Sequence, residues 1–243
     1  MGHITLMLHI ITPVKDSIAS ALLTFEAIQR SRLQEPHTYT VYDDFSTPEN
    51  AARLDAAAAT YGFNVVHLDS LTTHPSPNYL LVLQREQQLC LAEGAQMLIV
   101  ESDVVVREDT LQGLVDRAAH SAEKAGIVAA VTVDESGAIN YPYGYAKGHE
   151  GEDFSTRKHC SFCCSLLTLD LLRKFDFRAL DATKNWFDVT ISHESLRAGL
   201  CNVVCCSLPV LHRPHQSRPW KQLKYKNPLK YYWLKLTRGL DKI

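Results

Sequence analysis

MLIVESDVVVRED, residues Met97 to Asp109, is the stretch on which the fold turns. Four apolar residues, Met97-Leu98-Ile99-Val100, run straight into Glu101-Ser102-Asp103, and a second apolar run, Val104 to Val106, precedes Arg107-Glu108-Asp109. An apolar run of this length, entered just after Gly94, reads as a strand buried on both faces, and such strands belong to sheets covered by helices on either side. The acids then stand at its carboxyl end, where ligands bind in open α/β sheets. Two acids at i and i+2 with a small residue between them can turn oxygens toward one hard cation, since Mg2+ or Mn2+ takes carboxylates and fills its other positions with water and phosphate oxygens. A solvated acidic turn is the plainer reading of the tripeptide alone, so the rest of the chain must discriminate.

Outward from this strand the chain alternates. Ile4 to Thr12, ended by Pro13, reads as a central first strand, and Asp16 to Arg30 as a helix with Ile18, Leu22, Phe25 and Ile28 on one face and Asp16 or Ser17 as cap. Thr38 to Tyr42 is a second strand ending in Asp43-Asp44. Pro48 to Tyr61 is a strong helix former with Thr47 as cap and Pro48 at its first position. Asn64 to Leu68 is a short third strand, Asn78 to Glu93 a helix stopped by Gly94, Asp109 to Lys124 a further helix, and Ile127 to Val133 a strand. Strands alternating with helices of this length predict βαβ units and a mostly parallel sheet flanked by helices. Beyond Asp134 the order loosens. A Gly-, Tyr- and charge-rich loop runs to His159, followed by a strand at Cys160 to Leu167, a short helix at Thr168 to Phe175, a helix from Asp188 closed by Gly199, and a last strand at Cys201 to Cys206.

The 243 residues carry a net charge of −2, which hides an asymmetry. Residues 1 to 212 hold 16 Lys and Arg against 26 Asp and Glu, whereas 213 to 243 hold nine basic residues and only Asp241. We therefore expect one α/β domain over 1–212 with a basic, aromatic C-terminal extension over 213–243. No run reaches the roughly 18 apolar residues of a spanning helix, and Met1 to Pro13 has neither the basic start nor the cleavage site of a signal peptide, so a cytoplasmic protein is expected. Seven cysteines in such a chain argue for reduced thiols.

Two strand ends thus carry paired acids, Asp43-Asp44 and Glu101/Asp103, on one edge of a parallel sheet. In the order of these motifs, over about residues 4 to 212, the chain resembles the nucleotide-sugar glycosyltransferases of the GT-A (Rossmann-like) fold, glycosyltransferase family 2 in particular. Thr12-Pro13 looks like the end of the family's opening strand, which contacts the nucleoside. Asp43-Asp44-Phe45-Ser46 is similar to its Asp-Asp-Gly-Ser turn, with Asp44 on the base and Phe45 in place of Gly. Arg85 stands where the family often has an arginine near the nucleotide. Glu101-Ser102-Asp103 occupies the place of its DxD motif, which implies Asp103 as metal ligand, Glu101 beside it and Ser102 at the nucleotide. Trp186-Phe187-Asp188 is similar to its Glu-Asp motif, with Phe187 replacing Glu and Asp188 as general base. His212, after the last strand, matches its metal-ligating histidine.

The resemblance implies a metal-dependent, inverting transfer of a sugar from a nucleoside-diphosphate sugar, a UDP-sugar favoured, to a saccharide or lipid-linked acceptor. Imidazole suits Mn2+ better than Mg2+, though either would serve. Tyr141, Tyr143, Tyr145 and His149 are candidates to shape the sugar pocket, ordinary loop aromatics being the alternative. The tail interleaves Lys221, Lys224, Lys226, Lys230, Lys235 and Arg238 with Trp220, Tyr225, Tyr231, Tyr232, Trp233 and Leu236. This fits peripheral contact with the membrane's inner face or a solvated helix packed on the domain, and nucleic acid is the disfavoured partner. Three other readings remain. Cys160-x-x-Cys163-Cys164 and Cys201-x-x-x-Cys205-Cys206 look like halves of a zinc site, although both lie in apolar strands where cysteine acts as a small hydrophobe. A nucleotidyltransferase of similar fold lacks its Gly-rich phosphate loop here. A catalytically silent nucleotide-sugar binding protein would keep the fold and lose the base.

Overall fold

The computed structural model describes residues 6–121, 123–184, 186–213 and 227–238. Strand β1 (Leu8–Val14) leads to helix α1 (Ile18–Gln29), β2 (His37–Asp43) to α2 (Pro48–Tyr61), and β3 (Asn64–His67) to α3 (Tyr79–Glu93). Then come β4 (Gln96–Val100), β5 (Val104–Val105), α4 (Thr110–Ala119) and β6 (Ala125–Val133). The chain continues through β7 (Phe154–Thr156), β8 (Cys164–Leu167), α5 (Leu169–Lys174), α6 (Phe187–Arg197) and β9 (Cys201–His212) to α7 (Pro228–Arg238).

The sheet runs β3-β2-β1-β4-β8-β6-β9-β5, with β7 beside β9. All five residues of β4 are buried, and their side chains alternate between two cores. Leu98 and Val100 pack with Phe25, Leu54 and Leu114 of α1, α2 and α4, while Met97 and Ile99 pack with Leu83, Leu171 and Ile191 of α3, α5 and α6. Helices on both faces explain why this strand reads as an unbroken apolar run rather than an alternation.

The sheet is mostly parallel, as expected, through β3, β2, β1 and β4, with β8 running antiparallel between β4 and β6. It enters the sheet straight from the long loop over the carboxyl edge, so it must run the opposite way. It also begins at Cys164, not Cys160. The last strand does not stop at Cys206; its register against β6 slips between Ala130 and Thr132, and pairing resumes at Val210. Pro209 sits in that bulge, where its missing N–H breaks no ladder bond. Thr47 caps α2 as expected, accepting from the Asn50 amide, whereas neither Asp16 nor Ser17 caps α1 through its side chain. Gly94 closes α3 in the left-handed conformation, φ +66°, that a glycine adopts without cost.

Of the tail, only α7 lies among the described residues; Trp220, Lys221, Lys224, Tyr225 and Lys226 fall outside them. Tyr231 is buried, while Leu229, Tyr232 and Trp233 are exposed. Among the described residues no helix is long and apolar enough to cross a membrane.

One polar cluster interrupts the core between β1 and α3. His9, 5% exposed, lies 3.1 Å through Nδ1 from Glu86 Oε2 and 3.1 Å through Nε2 from Glu93 Oε2. The Tyr42 hydroxyl donates to the other Glu86 oxygen, and Cys90 adjoins the ring. Hydrogen bonds with Cys90 and Glu86 push the His9 pKa up to about 11 against the opposing effect of burial. A group raised in the folded state stabilises the fold below its unfolded value of 6.5 and loses that contribution as pH rises through about 11. Urea unfolding in chelator at stepped pH above neutrality is therefore expected to show stability falling with pH. His9→Gln, less stable at pH 7, should show a flatter slope.

Candidate functional site

The strand order places a topological switch between β1 and β4: the chain builds outward from β1 through β2 and β3, then returns to lay β4 on the other side. A crevice opens at the carboxyl ends of such strands. Two loops at this edge are strained and tied together. Asp16 after β1 has φ 55° and Phe45 after β2 has φ 61°. This left-handed geometry costs a non-glycine residue roughly 1–2 kcal/mol. Phe45, in the place of the expected glycine, thus keeps a glycine-like backbone while its ring packs on the core. The Asp16 carboxylate accepts from the Thr47 amide at 2.7 Å, and the Asp16 amide donates to Ser46 Oγ at 2.9 Å, so the two turns hold each other.

Of the residues expected at the nucleotide, several are engaged internally. Thr12 is fully buried with Oγ1 3.0 Å from the Tyr39 hydroxyl, because alternation along β1 puts it on the same covered face as Ile10 and Val14; Pro13 follows it, partly buried. Asp43 is buried, 2.8 Å from His67 Nδ1, and also accepts from the Ser46 amide. His67 reaches Asp55 through its other nitrogen; burial lowers its pKa, but the two carboxylates outweigh this and raise it. Asp44 accepts from Ser76 Oγ at 2.6 Å, from the Asn78 amide at 3.0 Å and from Asn78 Nδ2 at 2.8 Å, which fastens the loop before α3 to the end of β2. Arg85 is exposed and lines a cleft of about 710 Å³ along β3 with His67, Asp69 and Leu71, a cleft that none of Glu101, Asp103, Asp188 and His212 lines.

The second pair of acids meets residues from late in the chain. β4 ends at Val100; the Glu101 amide donates to the Cys163 carbonyl at 2.8 Å, and the Val104 amide to the Glu101 carbonyl at 3.1 Å. The tight turn buries Ser102 and Asp103. β5 then pairs antiparallel with the end of β9, Val104 opposite His212, and the Arg213 amide donates to the Asp103 carbonyl at 2.8 Å. This register sets His212 Nε2 3.6 Å from Asp103 Oδ2. Nδ1 lies 3.1 Å from the Tyr141 carbonyl, which can only accept. The neutral ring therefore carries its proton on Nδ1 and presents the Nε2 lone pair beside the carboxylate, the orientation that outer hydrogen bonds impose on metal-binding histidines.

The electrostatics are those of a crowded acidic pocket. Burial, then Asp103 and Asp188, push the Glu101 pKa up to about 7, against His212 and the Cys163 thiol, which donates to Glu101 Oε2 at 3.4 Å. Burial lowers the His212 pKa, but Asp103, with Glu101 behind it, outweighs this, and the net shift is upward. Asp188 sits in the first turn of α6, its Oδ1 accepting from the Val189 amide at 2.9 Å. Phe187, where the motif has Glu, is buried against Tyr79, ring centroids 6.4 Å apart. Asp103 Oδ2 and His212 Nε2, 3.6 Å apart, offer a divalent ion such as Mn2+ or Mg2+ two positions, and among the described residues Glu101 does not gather with them as a third, so the others would fall to water and phosphate oxygens.

Two contributors left no signal in the sequence. The Tyr79 hydroxyl is buried with no hydrogen-bond partner among the described residues, and both Glu101 and Asp188 act on it. Cys163 contacts Glu101 because β8 runs beside β4. Of the loop aromatics, Tyr143 exchanges hydrogen bonds with the backbone of Ser161, Tyr145 donates to the His159 carbonyl, and His149 stacks on Phe154 at 4.3 Å. These three hold the loop down; Tyr141 and His149 are exposed, Tyr143 is buried and Tyr145 partly buried. The cysteine clusters do not converge: all seven thiols are free and buried, and among the described residues no three ligand atoms from those clusters gather.

Since Asp44 accepts three hydrogen bonds in the ligand-free fold, Asp44→Ala is expected to lower stability by roughly 1–3 kcal/mol without any nucleotide present. Urea unfolding, with faster amide exchange at Asn78, checks this.

No family model matches the chain, and no curated protein matches it by sequence. Solved structures do match. S. aureus TarS residues 1–349 in complex with UDP-GlcNAc superimposes with TM-score 0.62 at 14% identity, covering 86% of this chain and 60% of that one. GalNAc-T7 with UDP, GalNAc and Mn2+ gives 0.62 at 10%, covering 87% and 44%. The mannosyltransferase PcManGT from Pyrobaculum calidifontis, in complex with GDP-Man and Mn2+, gives 0.61 at 13%, covering 93% and 63%. The chain thus spans less than two thirds of the length of each. With nearly its whole length superimposed on these proteins, the chain has the GT-A fold of nucleotide-sugar glycosyltransferases.

Proposed function

We propose that this protein is a metal-dependent, inverting glycosyltransferase, moving a sugar from a nucleoside-diphosphate sugar, a UDP-sugar favoured, to a hydroxyl of a saccharide or lipid-linked acceptor. The observation that carries the reading is the meeting of Glu101, Asp103 and His212 with Asp188 at one strand edge of a GT-A fold. Asp103 and the Nε2 of His212 would hold Mn2+ or Mg2+, with Glu101 beside them. When bound, the ion neutralises charge developing on the leaving diphosphate. Asp188 takes the proton of the acceptor hydroxyl as it attacks the anomeric carbon, typically worth about 10² to 10⁴ in rate. One base and direct displacement give inversion. The Tyr79 hydroxyl, buried without a hydrogen-bond partner among the described residues and under the influence of Glu101 and Asp188, would donate to the sugar or acceptor.

The neighbours described with UDP-GlcNAc and with GDP-Man and Mn2+ support a nucleotide-sugar donor without naming this one. A second reading, a silent nucleotide-sugar binder, draws on Phe187 being spent in the core and on the bond from the Val189 amide to Asp188. The tail would serve a lipid-linked acceptor by resting on an anionic membrane, since α7 exposes Leu229, Tyr232 and Trp233 and residues 213–243 are strongly basic.

Titration calorimetry with UDP, GDP and CDP is expected to show one nucleotide binding only with Mn2+, and at least about tenfold more weakly in Asp103→Ala. Asp188→Asn should keep that binding and lose about 10²-fold or more in transfer. Metal-dependent nucleotide binding without sugar transfer by the wild type favours the silent binder, and no nucleotide binding at all overturns the donor site. Co-sedimentation with anionic vesicles, weakened by Trp233→Ala, is the expected behaviour of the tail.

A further inference from the structure

The His9 cluster lies outside the acidic crevice, and the transfer chemistry makes no use of it. Its members are unusual for a core. Glu86, Cys90 and Glu93 follow one another at i, i+4 and i+7, so they share one face of α3, and that face is laid against His9 of β1. One ligand atom each from His9, Glu86 and Cys90, all buried, lies within 4.8 Å of the other two. In a tetrahedral zinc site with bonds of about 2.0–2.3 Å the ligand atoms stand roughly 3.3–3.8 Å apart, so only small side-chain rotations separate this arrangement from coordination. We propose that His9, Glu86 and Cys90 form a second metal site, selective for Zn2+, that pins α3 to β1.

The groups around the three ligands are those of a supported site. The His9 ring nitrogen that faces away from Glu86 is 3.1 Å from Glu93 Oε2, an arrangement in which a carboxylate orients a ligating imidazole. The Tyr42 hydroxyl holds the second Glu86 oxygen, leaving Oε2 turned toward His9 Nδ1. Glu93 is half exposed and opens the cluster to solvent, which supplies a path for entry. The donor set is one thiolate, one imidazole and one carboxylate. It suits zinc better than Mg2+ or Mn2+, which sets it apart from the carboxylate-rich crevice at Asp103. Without a metal, a proton on His9 balances the two carboxylates. Ligation releases that proton and the one on Cys90, so affinity rises with pH. Among the described residues the six other cysteines join no group of three ligand atoms.

The test is metal analysis of the full chain after incubation with Zn2+ and gel filtration, alongside titration with Co2+. One tightly held equivalent of zinc in both wild type and Asp103→Ala is expected, with a sulfur-to-cobalt charge-transfer band in the near ultraviolet. Cys90→Ser should abolish the band, and Glu86→Gln, which keeps the residue's shape, should bind zinc at least about tenfold more weakly. Wild-type protein that is folded by circular dichroism yet retains no zinc and gives no cobalt band overturns the proposal. So does a band that survives Cys90→Ser, or zinc lost in Asp103→Ala, which would assign the ion to the crevice.

Discussion

Burial of β4 on both faces is the constraint from which the rest follows. Four consecutive residues, Met97 to Val100, without solvent contact require a helical layer on each side of the sheet. Fully burying an aliphatic side chain contributes roughly 1.5–3 kcal/mol, so Met97 to Val100 favour this sheet over any arrangement that exposes one face. The same constraint places what comes next. A strand enclosed to its last residue can release its polar groups only at its end, and Glu101, Ser102 and Asp103 come there together.

The site is completed by a pairing that joins the middle of the chain to its far end. β5 is two residues long, yet its antiparallel register with β9 sets His212 beside Asp103. A slip of one residue would turn the imidazole to the opposite face of the ladder. Past the bulge around Pro209, β9 resumes its pairing with β6 at Val210 and Leu211 and on its other edge takes up β5. The β1 and β2 turns are held by different means. Asp16 and Phe45 keep left-handed backbones that other residues must stabilise, and strain of this kind gathers where a ligand is to be met.

Whether a buried acid has its hydrogen bonds satisfied within the fold separates structural roles from chemical ones. Asp43 and Asp44, paired acids at a strand end, look from the sequence like a ligand site, but their oxygens are engaged with His67, Ser46, Ser76 and Asn78. They build the rim of the crevice by tying loops to it. Glu101, by contrast, has its pKa raised first by burial and then by Asp103 and Asp188, with only His212 and the Cys163 thiol opposing. Phe187 marks the same division: at the position of an acid in the resembling motif, it anchors α6 in the core and leaves Asp188 at the helix start.

What the sequence determined by itself was local. The alternation of strands and helices, the buried character of β4, the Thr47 cap, the Gly94 stop and the placement of acids at strand ends all follow from periodicity and turn chemistry within a few residues. The Glu101-Ser102-Asp103 turn, Asp188 and His212 were legible as candidates because each stands directly after a recognisable element. The tertiary structure alone decided which of them meet. Strand pairing put His212 on Asp103 and ran β8 antiparallel. Side-chain alternation turned Thr12 inward, loop packing engaged Asp44, and the α3 face brought Glu86 and Cys90 onto His9. These contacts join residues distant in sequence, and their energies depend on register and facing, which no local pattern of residues encodes.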